Sequence, residues 1–172
     1  MVNKSNQKQQ GFGIVSVILG IVASAIITLF GFQQYQNAMM KIKVGSAQTQ
    51  FQNISTGIDS LYANSHDFSN ISTQVVIDAG IASTDDIVGS TIVSPWYSSD
   101  ATAVVTINPA SQPTSYTVDM AGVPKDACAG VASMFLHNAK SNMTINGTVV
   151  TDPASMSTAC ASSDSADIAI NF

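Results

Sequence analysis

The sequence predicts an α+β fold: one long N-terminal helix packed on an antiparallel sheet, with a disulfide-bounded C-terminal region. Three observations predict it. Residues 12–32 form an uncharged, mostly aliphatic run of 21 residues, and a helical apolar pattern carries on from it. Beyond residue 100, β-branched segments alternate with polar residues in strand fashion. Two cysteines, Cys128 and Cys160, bracket a long segment in the C-terminal part of that region.

The N-terminal run, FGIVSVILGIVASAIITLFGF, is long enough to span a hydrocarbon core of about 30 Å as a helix. It exceeds the apolar stretch of an ordinary signal peptide, and no A-x-A-like cleavage site follows it. From Tyr35 on, apolar residues recur at Tyr35, Met39, Ile42, Ala47, Phe51, Ile54, Ile58, Leu61 and Tyr62, a helical stripe. Gln36, Lys43, Gln48, Gln52, Ser55 and Asp59 fill the other face. The reading is one nearly continuous helix from about Phe12 to Tyr62, roughly 75 Å long. Gly31, Gly45 and Gly57 are its weak points, each costing on the order of 1 kcal/mol relative to Ala.

After Ala63 the helical pattern stops at NSHDFSN. A short helix is expected from Ser72 or Thr73 to Asp78, with Gly80 as its stop, linking the long helix to the sheet. Ala101–Pro109 and Thr114–Gly122 read as a strand pair joined across PASQP. PKDACAGVASMFLHNA reads as a helix with Pro124 near its first turn and Asp126 at the positive end of the dipole. NMTINGTVV is a strand, or a hairpin about Asn146-Gly147. ADIAINF is a terminal strand. The expectation is four or five strands with one or two short helices besides the long one.

Composition limits function. All six basic residues are lysines and all eleven acidic ones are aspartates, and charged residues make up 10% of the chain, against roughly 25% in average domains. A net charge of −5 without basic clusters argues against nucleic-acid binding. An apolar export segment implies an oxidising compartment, which makes a Cys128–Cys160 disulfide the expected state, with two unrelated buried thiols as the alternative. Ser65-His66-Asp67 cannot form a triad from adjacent turn positions. His66 reads as a solvated turn residue, and His137 as a helix residue with a polar contact. Asp85-Asp86 reads as a helix or turn end, and Trp96 as a packing anchor beside Pro95. The Asn-x-Ser/Thr matches at Asn53, Asn70, Asn142 and Asn146 are chance in a chain this rich in those residues. No constellation supports catalysis, a metal site or a cofactor.

The leader MVNKSNQKQQG, basic and ending in Gly11, followed at once by Phe12 and the uncharged run, resembles type IV prepilins. The C-terminal VPKDACAGVASMFLHNA, MTINGTVV and TACASSDSADIAINF resemble the cysteine-bracketed region of type IVb pilins such as the bundle-forming and toxin-coregulated pilins. SPWYSS at Ser94–Ser99 stands where such pilins often carry Asn-Pro-Phe-Gly. The resemblance implies a cytoplasmic-side cut between Gly11 and Phe12 by a prepilin peptidase, methylation of the new amine, and assembly through Phe12, Ile14, Ser16, Val17 and Leu19. It divides the chain into a leader (1–11), a transmembrane and filament-core half-helix (12–32), an amphipathic half-helix (33–63) and a globular head (64–172), in the pilin roll with the last strand inside the sheet.

The implied partners are further copies of the chain, the peptidase, the inner-membrane assembly machinery and, before assembly, the membrane itself. The implied product is an extracellular filament serving adhesion, aggregation or conjugation, with a minor pilin or pseudopilin at a filament tip, or a membrane-tethered binding domain, as alternatives. Lys4 and Lys8 in the leader favour a cytoplasmic N-terminus. Their removal leaves four lysines against eleven aspartates, a net −7. One residue departs from the family. The fifth mature residue is Ser16, where these pilins almost always carry Glu to neutralise a neighbour's amine. A hydroxyl accepts a hydrogen bond without cancelling a charge.

Overall fold

The computed structural model describes residues 10–99, 102–136 and 142–172, with side chains from Gly13 on. Lys4, Lys8, Ala101, His137 and Lys140 lie outside the described residues, as do the side chains of Gly11 and Phe12. By internal contacts the chain divides into two units, residues 1–40 and 41–172.

Helix α1 runs from Gln10 to Leu61, 52 residues, through all three glycines that sequence marks as weak points. Within the second unit its apolar stripe is only partly a core face. Ala47, Phe51, Ile54 and Ile58 are buried, while Ile42 and Leu61 stay exposed. Two glutamines of α1 are tied to the head, and one of them, Gln48, is a residue that pattern alone assigns to the polar side. Gln48 Nε2 donates to the Gly130 carbonyl at 2.8 Å, and the buried Gln50 Nε2 donates to the Val93 carbonyl at 2.8 Å. Gly57 admits Ile81 so closely that an added Cβ would lie 2.4 Å from its Cγ2. At this position the glycine's helix cost is offset by close packing.

Helix α2 (Thr73–Asp78) begins on Ser72, whose hydroxyl accepts from the Val75 amide, and Gly80 follows it at φ +68°, as expected. A 3-10 turn at Thr84–Asp86 precedes two short strands, β1 (Ile87–Val88) and β2 (Thr91–Val93). Strands β3 (Val104–Pro109) and β4 (Tyr116–Pro124) form the expected antiparallel pair. Helix α3 (Lys125–Ser133) follows Pro124 but stops at Ser133, shorter than the sequence expectation, and gives way to turns at Met134–Leu136. Strands β5 (Met143–Ile145) and β6 (Thr148–Val150) form a hairpin whose two-residue loop is Asn146-Gly147. Both loop residues have positive φ, 51° and 74°, the geometry that makes Asn-Gly a hairpin signal. Helix α4 (Pro153–Ala161) and strand β7 (Ser165–Asn171) complete the chain.

The described residues thus hold a seven-stranded sheet in the order β1-β2-β3-β4-β7-β5-β6, with every pairing antiparallel. This exceeds the four or five strands expected, and α4 is a third short helix. The last strand does lie inside the sheet, between β4 and β5. Cross-strand rows such as Val105–Met120–Ile168–Ile145 are fully buried on one face. The alternate row, Thr106–Asp119–Ala169–Thr144, sits on the other.

Asp119 in that row is half-buried with its Oδ1 unpartnered, and Asp167 carries a like charge on the neighbouring strand. Burial first, and then the Asp167 charge, push the Asp119 carboxyl above its ordinary range. A raised folded-state pKa means the ionised form opposes folding. As pH falls through that value the folded protein takes up its proton first and gains stability until the unfolded carboxyl also titrates. Asp119→Asn is therefore expected to raise the melting temperature at neutral pH and to flatten that part of the pH dependence. Melting curves of both proteins across the acid range check it, and equal pH profiles would refute it.

Candidate assembly surface

The uncharged run predicts a segment without partners inside its own chain, and α1 shows that state. From Ile14 to Phe32 the large aliphatic and aromatic side chains stand exposed, with Ile14 at 65%, Val17 at 61% and Leu19 at 64%. Among the described residues, α1 is the one helix long and apolar enough to cross a membrane, with mean hydropathy 2.6 in its most apolar window. Exposed apolar surface of this extent is unstable in water and requires a lipid or protein cover.

The hydroxyls within the run are already satisfied. Ser16 Oγ donates to the Gly13 carbonyl at 3.0 Å, Ser24 Oγ to the Ile21 carbonyl at 2.9 Å, and Thr28 Oγ1 to the Ser24 carbonyl at 2.8 Å. Each proton returns to its own helix, so none is left unpaired in an apolar environment. The Ser16 oxygen keeps lone pairs for an outside donor. Gly11 and Phe12 have helical backbone within α1. No acidic residue occurs anywhere between Phe12 and Ile58.

The opposite end of the chain is organised by the bridge between Cys128 and Cys160, which joins α3 to α4 across a sequence separation of 32. Both cysteines are buried. Helix α4 starts in a capping box. Asp152 accepts from the Ala154 and Ser155 amides at 2.8 and 2.9 Å, Ser155 Oγ accepts in return from the Asp152 amide, and Pro153 occupies the first turn. These amide bonds hold the Asp152 carboxyl below its usual range. The signal was present in the sequence as Asp152-Pro153-x-Ser155. Asn146, a chance glycosylation match, is instead structural: its Nδ2 reaches the Ala159 carbonyl and Ser162 Oγ, and its Oδ1 accepts from the Asp167 amide.

The residues weighed for chemistry stay apart. Asp67 accepts from the amide and hydroxyl of Ser69, and His66 is exposed in a turn at φ 49°. Asp85 and Asp86 lie on the 3-10 turn. Trp96 is half-buried, with its Nε1 unpartnered. Among the described residues no cluster of three or more His, Cys or acidic side chains could hold a metal.

Comparison with known proteins locates this architecture. The sequence model of the Bundlin family matches residues 36–171. No curated protein shows significant sequence similarity to the chain. Among solved structures, the crystal structure of a type IVb pilin from Salmonella typhi superimposes with a TM-score of 0.58 at 18% identity, covering 74% of this chain and 98% of that one. The long helix, the antiparallel sheet with its last strand inside it, the α3–α4 bridge and the family match together make the chain a pilus subunit belonging to the Bundlin family of type IVb pilins.

Proposed function

We propose that the chain is a structural subunit that polymerises through residues 12–32 into an extracellular filament. The observation that carries this is the exposed apolar length of α1, whose hydroxyls bond within the helix. Such a surface suits a bilayer first and a bundle of identical helices afterwards, because both bury the same apolar area. Residues 1–11 are the leader, cut by a prepilin peptidase after Gly11. Residues 12–32 become the filament core, with Phe12, Ile14, Ser16, Val17 and Leu19 nearest the new terminus. Residues 33–63 carry the head, and residues 64–172 form the exterior. The precursor resides in the inner membrane and meets the assembly machinery there. The filament serves adhesion, aggregation or conjugation.

A second reading, a minor subunit at a filament tip, is favoured by one residue. Ser16 cannot neutralise the amine of the chain above it, and at a tip no such chain exists. The mass of the N-terminal peptide from filament-purified protein tests both. The expected result is Phe12, methylated, at the terminus of the dominant component, and scarcity in the preparation would favour the tip subunit. An intact residue 1 would overturn both and leave a tethered binding domain. Gly11→Asp is expected to leave the leader uncut and to abolish filaments.

A further inference from the structure

A cleft of about 450 Å³ opens between the end of α1 and the ends of the interior strands β4 and β7, lined by Ser55, Asp59 and Tyr62 on the helix and by Phe68, Tyr116 and Phe172 opposite. Its aromatic residues form a continuous row. Ring centroids are 5.1 Å apart for Tyr62–Phe68, 4.8 Å for Phe68–Tyr116 and 5.4 Å for the stacked Tyr116–Phe172 pair. Phe68 and Tyr116 are buried, whereas Tyr62 and Phe172 keep ring surface exposed. His66 and Thr114 stand at the rim.

The polar groups of this cleft are unbalanced. The Ser55 hydroxyl donates to the Gln52 carbonyl at 3.1 Å, so its proton is committed. The Tyr116 hydroxyl donates to the Ser55 carbonyl at 3.3 Å and to Asp59 Oδ1 at 3.2 Å. Those two hydroxyls therefore present lone pairs, and Asp59 adds a carboxylate with one oxygen outside this network. Acceptors beside exposed aromatic surface, with a negative charge at the mouth, match a ligand with several N–H donors, a positive charge and an apolar stem.

We infer that this cleft is a binding site for a primary alkylammonium group, with Asp59 as its counter-charge and Tyr62 and Phe172 packing on its stem. The ammonium comes either from a small free amine or from the lysine side chain of another copy of the chain. The site lies within the unit of residues 41–172 and does not depend on the filament reading.

The test is a titration of the full chain in detergent with n-butylammonium, followed by the aromatic NMR signals of Tyr62 and Phe172, with 1-butanol as the neutral match. Saturable shifts are expected from the amine, with the alcohol binding roughly tenfold more weakly or worse. Asp59→Asn should weaken the amine by roughly tenfold while leaving the alcohol unchanged. The amide oxygen still accepts from Tyr116, so the aromatic row is retained. His66→Lys, which places a competing ammonium at the rim, should weaken the amine without touching the row. Equal binding of amine and alcohol, or an Asp59→Asn protein that binds the amine normally, overturns the proposal. A second arm identifies the source. Zero-length carbodiimide coupling in sheared filaments that joins Asp59 to a lysine of another chain assigns the ammonium to a neighbouring copy. Amine binding without that cross-link assigns it to a free amine. If filaments do not form, the first arm still decides whether the site exists.

Discussion

Removing the Cys128–Cys160 bridge, by the double substitution Cys128→Ala and Cys160→Ala or by reduction, should cost the head about 3–4 kcal/mol. The bridge closes a loop across 32 residues, and the chain-entropy estimate for a loop of that length gives this figure. For a domain of this size it corresponds to a fall in melting temperature on the order of 10 °C. The loss should not be uniform. Helix α4 holds the β5–β6 hairpin through the two bonds of Asn146 Nδ2, and the bridge is its covalent tie to α3. Beyond these, α4 offers a small buried set, Met156, Ala159 and Cys160. Hydrogen exchange should therefore accelerate over residues 143–162 well before it does in the β3–β4 pair, which is the low-stability behaviour expected of a weakly packed element. Equal acceleration in both regions, or a loss well under 1 kcal/mol, would show that α4 is held by its own packing and cap. Single cysteine substitutions are a poorer test, because they leave a reactive thiol.

What the sequence disclosed about this fold follows the strength of local signals. The 52-residue helix was legible because charge exclusion and a helical stripe act over many turns. Helix α2 was legible to within one residue, since Ser72 and Gly80 mark its two ends chemically. The hairpin at Asn146-Gly147 was legible for the same kind of reason. Strands β1 and β2 were missed because two and three residues carry no periodicity, although Gly89, at φ 65° and followed by Ser90 between the β-branched Val88 and Thr91, marked their turn. Helix α4 was missed because its interior of Ser, Thr and Ala has no apolar stripe. Only its cap announced it.

The exposed apolar run was more legible than the cleft. Exposure of Ile14, Val17 and Leu19 follows from an apolar run with no internal partner. The cleft depends on Asp59, Tyr116 and Phe172 meeting across large sequence separations, which a single chain pattern cannot reveal. Gln50 is a similar case: it lies on the buried stripe of α1, and its partner, the Val93 carbonyl, is 43 residues away in sequence.

Gly122→Ala should be the most damaging single glycine substitution in the sheet, costing about 3 kcal/mol or more. Two independent effects add there. Gly122 sits at φ 75°, where an L side chain is strained, at the irregularity between Met120 and Val123 in the β4–β7 ladder. In addition, a Cβ would lie 2.8 Å from the Ala103 Cα and 3.1 Å from its amide nitrogen, which are backbone atoms that cannot rotate aside. Relief would require the lead into β3 to move, and the Ala103 carbonyl there accepts from the Ser94 amide. The Gly122 amide itself donates to Asp167 Oδ1, so displacement of this corner also unpairs a carboxylate beside Asp119. Gly147→Ala supplies the control. Its φ is nearly the same, 74°, yet nothing lies within 4 Å of the added carbon, so it should lose only the conformational cost of about 1–2 kcal/mol. The difference between the two variants isolates the steric contribution. Ala103→Gly in the Gly122→Ala background should restore part of the loss and not all of it, since the contact with the Ala103 Cα persists. Denaturant unfolding of the three proteins measures each quantity. Equal losses at Gly122 and Gly147 would mean that β3 yields to the methyl group, and that the corner is less constrained than its packing indicates.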